Sequence, residues 1–397
     1  MRAILTAAGL SATLLWLPAA PSSAAPPRCH GQVATIVGTG GDDHLVGTDG
    51  PDVIVGLGGA DRIDGRGGDD VICGGANRGV GQRQTEGDDI DGGPGSDWID
   101  PGRDRRRVSA QGHPDVLRYA RAASGIRADL SSRTGTVTVG PDTDTIRVAE
   151  GLWVLGSRFD DVIVGTRFDD DLEGNKGADL LQGGPGDDGL DELSGIWSQP
   201  DHDADRLEGG PGDDSVQATG GADALDGGDG DDFLYEQGYD LGTSMLGGPG
   251  DDDLFAYYDE TADRVLDAGE GVDLLEVQWW GTEDPAVSLV VDAGTGQVRT
   301  SVAAQAVLTA TGVERWAPSV EQPVTFLGTA GPDWVDARMT HHLTAQTLAG
   351  DDVVKGSDYS DTIDAGDGYD KVDGRRGRDT CTGAEQVKRC EGQGGTG

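Results

Sequence analysis

The chain has 397 residues, 72 of them Asp or Glu and 30 Lys or Arg, for a formal net charge of -42. So acidic a chain repels itself and resists compaction unless cations arrive, and it offers no basic surface to a nucleic-acid backbone. Glycine fills 68 positions and aromatic residues only 5%, which excludes a large conventional core.

Met1 to Ala24 reads as a secretion signal. Arg2 supplies the positive start, Ala3 to Leu17 an apolar run too short to span comfortably, and Ser22-Ser23-Ala24 the small residues for cleavage. No later stretch could span a membrane, so the mature chain is expected to be secreted, extracellular and without a membrane span. Four cysteines in an exported chain suggest two disulfides, with three connectivities open. We favour Cys29 with Cys73 and Cys381 with Cys390, which would cap the two ends of a stacked coil. A zinc site is the rival reading, but CxxC spacing is lacking.

Residues 25–102 hold an N-terminal cap and a first repeat block. From Gly38 to Cys73 the chain reads GTGGDDHLV, GTDGPDVIV, GLGGADRID, GRGGDDVIC, four units of nine without a gap. Glycine holds the first place (Gly38, Gly47, Gly56, Gly65) and the fourth (Gly41, Gly50, Gly59, Gly68). Aspartate holds the sixth (Asp43, Asp52, Asp61, Asp70), and a large aliphatic the eighth (Leu45, Ile54, Ile63, Ile72). Six residues rich in Gly and Asp make a turn, and three make a very short strand. Glycine permits φ > 0 and close backbone approach. A disordered acidic linker would share this composition but has no reason to keep aliphatics at the eighth place.

The period breaks at Asn77–Glu86 and returns weakly at Gly87-Asp88-Asp89, then strongly at GGPGSDWID, Gly92 to Asp100. Residues 103–155 lack the repeat. They start with a basic run (Arg103, Arg105, Arg106, Arg107) that we read as solvating a loop or balancing acidic neighbours. Alternation at Ile126, Ala128, Leu130, Val137 and Val139 predicts small antiparallel strands. A second block, 156–276, resumes the repeat, with Phe159 and Phe168 in place of the fourth-place glycine and a short insertion around Trp197. Residues 277–327 form a second β-rich insert that looks like a copy of the first, ending in Glu314 as the first ends in Glu150. A last block and cap, 328–391, has sixth-place Asp333, Asp352, Asp361, Asp370 and Asp379, with Tyr359 at a fourth place. Residues 392–397 read as a frayed, disordered tail.

The nonapeptide resembles the repeat of the RTX (haemolysin-type) calcium-binding family. The resemblance implies an all-β fold, a right-handed parallel β-roll or β-solenoid, here with two β-rich inserts. One turn of the roll uses two nonapeptides. Loops eighteen residues apart then stack and share an ion, Asp43 facing Asp61 and Asp52 facing Asp70. The eighth-place aliphatics fill a thin core between two parallel sheets. The implied cofactor is Ca²⁺, a cation that takes six to eight oxygen ligands. The implied ligands are Asp43, Asp52, Asp61, Asp70, Asp97, Asp161, Asp170, Asp179, Asp188, Asp205, Asp214, Asp223, Asp232, Asp252, Asp352, Asp361, Asp370 and Asp379. About ten ions would offset roughly half of the charge, at affinities on the order of 10⁻⁴–10⁻³ M.

Paired carboxylates would also suit a glycosidase, but the repeat already accounts for them. Neither HExxH nor GxSxG occurs, and His341-His342 reads as a surface pair. The expectation is a secreted, non-catalytic calcium-binding repeat protein that folds on binding Ca²⁺, serving as a spacer or contact surface with a cell-wall or matrix polymer as partner. The alternative is an extracellular polysaccharide-modifying enzyme on a parallel coil. Ice binding is disfavoured by the irregular seventh place: His44, Val53, Arg62, Val71.

Overall fold

A computed structural model describes residues 25–76, 87–103, 114–192, 203–236, 242–258, 264–279, 286–302, 308–390 and 392–393. The signal, the Asn77–Glu86 break, the Trp197 insertion and Arg105, Arg106 and Arg107 lie outside them. No helix occurs among the described residues. The chain winds between two long sheets of 16 and 21 strands, most neighbours being parallel.

Each nonapeptide contributes one short strand, and successive strands go to opposite sheets. His44–Val46 pairs in parallel with Arg62–Asp64 in one sheet, while Val53–Leu57 pairs with Val71–Gly75 in the other. Register is held by stacking like on like: Leu45 lies against Ile63, Ile63 against Ile90, and Ile54 against Ile72 and then Ile99. Those eighth-place residues, with Ile163, Leu172, Leu181, Leu190, Leu207, Val216, Leu225 and Leu234, form one buried column. The ninth-place side chain points out, and that of the next first place points in again, because strand side chains alternate. A core one side chain deep is thin, so the turns carry much of the burden of order.

The two inserts are spliced into the coil as extra rungs rather than packed against it. Trp98–Gly102 pairs in parallel with Asp142–Arg147. That strand is antiparallel to Thr134–Val139, which is antiparallel to Ile126–Asp129, which returns to parallel pairing with Val162–Val164. The second insert repeats the plan: Arg264–Glu270, Leu308–Thr311, Gln297–Thr300, Leu289–Asp292, Pro323–Leu327. The meander can be spliced because its own alternation continues the column: Ile126, Ala128, Leu130, Val137 and Ile146 are all buried in it. On the opposite sheet Asp115–Arg118 and Leu152–Leu155 remain ordinary rungs.

The disulfides join Cys29 to Cys73 and Cys381 to Cys390. The first fastens a small hairpin, Arg28–Cys29 with Gln32–Val33, over the outer face of the sheet. There Cys29, Val53 and Val55 form a second buried cluster against Val71 and Trp98. At the far end Gly392–Gln393 pairs with Thr380 and Cys381, so these two residues of the expected tail form a strand, and the rest of it lies outside the described residues.

Candidate metal centres

The sixth-place carboxylates form two ranks along the coil. In each, Oδ1 accepts a hydrogen bond from a backbone N–H one coil earlier, that of an acidic residue except at Asp161, Asp170 and Asp361, which take those of Ile126, Leu152 and Leu343. Asp43 N–H donates to Asp61 at 2.9 Å, Asp61 to Asp88 at 2.8 Å and Asp88 to Asp115 at 2.7 Å. In the other rank Asp52 donates to Asp70 at 2.8 Å, Asp70 to Asp97 at 2.8 Å and Asp97 to Asp144 at 2.9 Å. The same bonds link Asp161 to Asp179, Asp179 to Asp205, and Asp205 to Asp223. They also link Asp170, Asp188, Asp214, Asp232, Asp252 and Asp273 in succession. In the last block they run from Asp333 through Asp352 to Asp370, and from Asp361 to Asp379.

What happens to Oδ2 divides the turns into two kinds. Where Ser or Thr stands at the second place, Thr219 excepted, the carboxylate is capped within its own turn. Thr48 N–H and hydroxyl donate to Asp52 Oδ2 at 2.7 and 2.9 Å. Thr39, Ser157, Thr166, Thr329 and Ser357 cap Asp43, Asp161, Asp170, Asp333 and Asp361 with the same two groups, the N–H to Oδ2 in every case and the hydroxyl to Oδ2 from Thr39 but to Oδ1 from the other four. The hydroxyl in turn accepts the fourth-place N–H, as from Gly50 at 3.3 Å and Tyr359 at 3.0 Å.

In the other kind the second place is left-handed, at Leu57 (φ 79), Arg66 (φ 71), Gly184 (φ 98), Gly228 (φ 114) and Leu348 (φ 68). The fourth-place glycine also has positive φ, as at Gly59 (111) and Gly68 (114). Here Oδ2 of Asp61, Asp70, Asp97, Asp188, Asp214, Asp232, Asp252, Asp273, Asp352 and Asp370 is buried with no hydrogen-bond partner. Asp179 and Asp379 belong to turns of this backbone, with Asn175 (φ 83) and Arg375 (φ 66) at the second place. Phe159, Phe168 and Tyr359 are thereby explained. Each sits in a capped turn, whose fourth place stays out of the left-handed region and needs no glycine.

Electrostatics follows that division only in part. Burial, together with like charge on the neighbouring coil, pushes Asp61 and Asp70 up to about 6, Asp188 and Asp232 to about 7, and Asp97 to about 8. For capped Asp52, burial also raises the pKa, but the bonds from Thr48 and Thr35 outweigh it and hold the carboxyl below its ordinary value. Burial wins in most of the other capped turns: it raises Asp161, Asp333 and Asp361, and pushes Asp170 up to about 6, despite their caps.

A buried, unpartnered carboxylate oxygen is costly unless a cation meets it. The open turns therefore fit a hard, oxygen-seeking ion, and their donors are oxygens only. A methyl group built on the first-place Gly56 would strike both Asp61 Oδ2 and the Gly74 carbonyl of the next coil, so oxygens of two coils converge there.

A family model described as the RTX calcium-binding nonapeptide repeat matches in four copies, at residues 37–72, 155–190, 203–234 and 347–381. The chain carries RTX calcium-binding nonapeptide repeats. No curated protein matches it. Both ranks run on through stretches outside the four matches, where Asp88, Asp97, Asp115, Asp144, Asp252, Asp273 and Asp333 keep the same bonds. Glu314 and Glu385, both in the rank of the 16-stranded sheet, take the aspartate's part there, accepting from Asp273 and Asp370 at 3.0 and 2.9 Å. Reading the glycines missed Asp88, Asp115, Asp144, Asp273, Glu314 and Glu385 as rank members. The signal that finds them is shorter: an acid two residues before an apolar residue, as in Asp115 and Leu117, or Glu314 and Trp316.

Proposed function

We propose that this is an exported, non-catalytic protein whose coil closes when Ca²⁺ becomes available outside the cell. The observation that carries the reading is the row of buried Oδ2 atoms without partners in the left-handed turns. When bound, Ca²⁺ supplies the positive charge those atoms lack. The chain's own residues do the rest: Oδ1 of each aspartate fixes the carboxylate against the previous coil, and the glycines let carbonyl oxygens approach. Export is supported by the Met1–Ala24 pattern, by two disulfides, and by the lack, among the described residues, of any helix long and apolar enough to cross a membrane. A non-catalytic role is supported by the rank bonds, which already employ the carboxylate pairs that would otherwise suggest a hydrolase.

Circular dichroism and calorimetry of the whole chain, first in chelator and then with Ca²⁺, test the reading. Strand signal should rise as several equivalents of ion are taken up. A spectrum indifferent to the ion, with no binding heat, would sink it.

A further inference from the structure

The first place of each unit points inward and is nearly always small. Among the described residues only Glu192 and Glu236 put an acid there, each two residues past a core leucine, Leu190 and Leu234. Both are 2% exposed. Their surroundings differ in one respect. Glu236 meets the guanidinium of Arg264, itself buried, in an ion pair. Glu192 meets two more acids: carboxylate oxygens of Glu192, Asp205 and Asp223 lie within 4.8 Å of one another.

Two details aim Glu192 into that cluster. Its Oε1 accepts the backbone N–H of Thr219. Thr219 holds the second place of the Asp223 unit, the place from which Thr39 and Thr48 cap their own aspartates, so here the N–H is diverted to Glu192. Glu192 Oε2 is buried with no hydrogen-bond donor facing it, only the Asp205 carboxylate. Meanwhile Asp205 and Asp223 are fixed through Oδ1 by the N–H groups of Asp179 and Asp205, at 2.6 and 3.0 Å.

We propose that Glu192, Asp205 and Asp223 form a discrete three-carboxylate site for Ca²⁺, distinct from the sites built from nonapeptide turns alone. Where the chain brings Arg264 to Glu236, it leaves the cation for Glu192 to be taken from solution. The oxygen spacing suits a hard ion: two ligands each about 2.4 Å from one centre stand at most about 4.8 Å apart. Three charges and no nitrogen or sulfur favour Ca²⁺, and the higher charge count makes this site tighter than its neighbours. The inference rests on the calcium reading of the coil.

The test is calcium titration of the whole chain, by calorimetry and chelator competition, in wild type, Glu192→Gln and Glu192→Gly. The glutamine keeps an acceptor for Thr219. The glycine restores the residue usual at a first place, so folding is not at stake in both variants together. Each should lose one equivalent from the tightest class and should melt higher than wild type in chelator, because one of three crowded like charges is gone. Glu236→Gln is the contrast: it should lose stability by stranding Arg264, with the calcium count unchanged. If both Glu192 variants keep every equivalent at unchanged affinity, the site is refuted while the coil's calcium binding stands. If both instead melt lower with an unchanged count, Glu192 is a structural protonated acid, and the proposal also fails. A wild type that takes up no calcium removes this site and the broader reading together.

Discussion

Asp52 and Asp70 stand on neighbouring coils, eighteen residues apart and joined by a hydrogen bond, and they face opposite problems. Asp52 has its second oxygen capped by Thr48, and its carboxyl titrates below the ordinary value. Asp70 has its second oxygen buried and unmet, and its carboxyl is raised to about 6. One residue at the second place, Thr48 against Arg66 at φ 71, decides which backbone the turn adopts. The coil thus mixes turns that are complete in themselves with turns that wait for a cation. Most complete turns stand where the coil starts or restarts: at Thr39 and Thr48 after the hairpin, at Ser157 and Thr166 after the first insert, and at Thr329 after the second.

The largest effect that would break this contrast is chelation. Each ion present at a hundredfold excess over its Kd contributes about 2.7 kcal/mol, so stripping several should open the coil. Hydrogen exchange in chelator should release the amides of the Asp214–Asp252 turns first and those capped by Asp52 and Asp170 last. Uniform loss across both kinds would erase the distinction.

Acidity comes next. Among the open carboxylates, Asp61, Asp70, Asp97, Asp188, Asp214, Asp232 and Asp252 have folded pKa values raised from 3.8 to between about 6 and about 8. Their protonated forms therefore contribute stability fully present below pH 3.8 and lost as pH rises through that higher range. In chelator the melting temperature should fall between pH 5 and 8. In excess Ca²⁺ the trend should reverse, since protons and ion compete for the same oxygens. Melting curves that do not depend on pH in chelator would contradict the burial of these groups.

Single aspartates should cross over. Asp70→Asn removes an unmet buried charge, so it should stabilise the chelated chain and weaken the calcium-loaded one by about 1–3 kcal/mol. Asp52→Asn removes a capped charge, so it should cost about 1–3 kcal/mol with or without calcium and leave the ion count intact. Paired melts in the two buffers check this.

The smallest effects sharpen the backbone side of the contrast. Gly68 has φ 114, and an added Cβ would lie 2.6 Å from the Gly50 carbonyl carbon. Gly68→Ala should therefore cost about 1–3 kcal/mol. At Gly50, in a capped turn, an added Cβ meets nothing within 4 Å. Gly50→Ala should stay within about 1 kcal/mol of wild type by thermal melting.

The sequence by itself determined the period, the sheets and the column. An eighth-place aliphatic every nine residues cannot be buried except by stacking like on like, and Ile54, Ile72 and Ile99 do so. It also carried the alternation of Ile126, Ala128 and Leu130, although whether that meander would pack beside the coil or splice into it depended on pairings with Trp98–Gly102 and Val162–Val164. Glycine counting could not separate Asp52 from Asp70, because both keep first-place glycine, sixth-place acid and eighth-place isoleucine. The second-place residue stands in the sequence, but only the tertiary structure decided what it does for the carboxylate, because that depends on where its N–H points and on which coil lies overhead, as the diverted Thr219 N–H shows. It also decided that Glu236 meets an arginine and Glu192 two more acids, a fact of neighbours brought together by winding, which spacing along the chain does not encode.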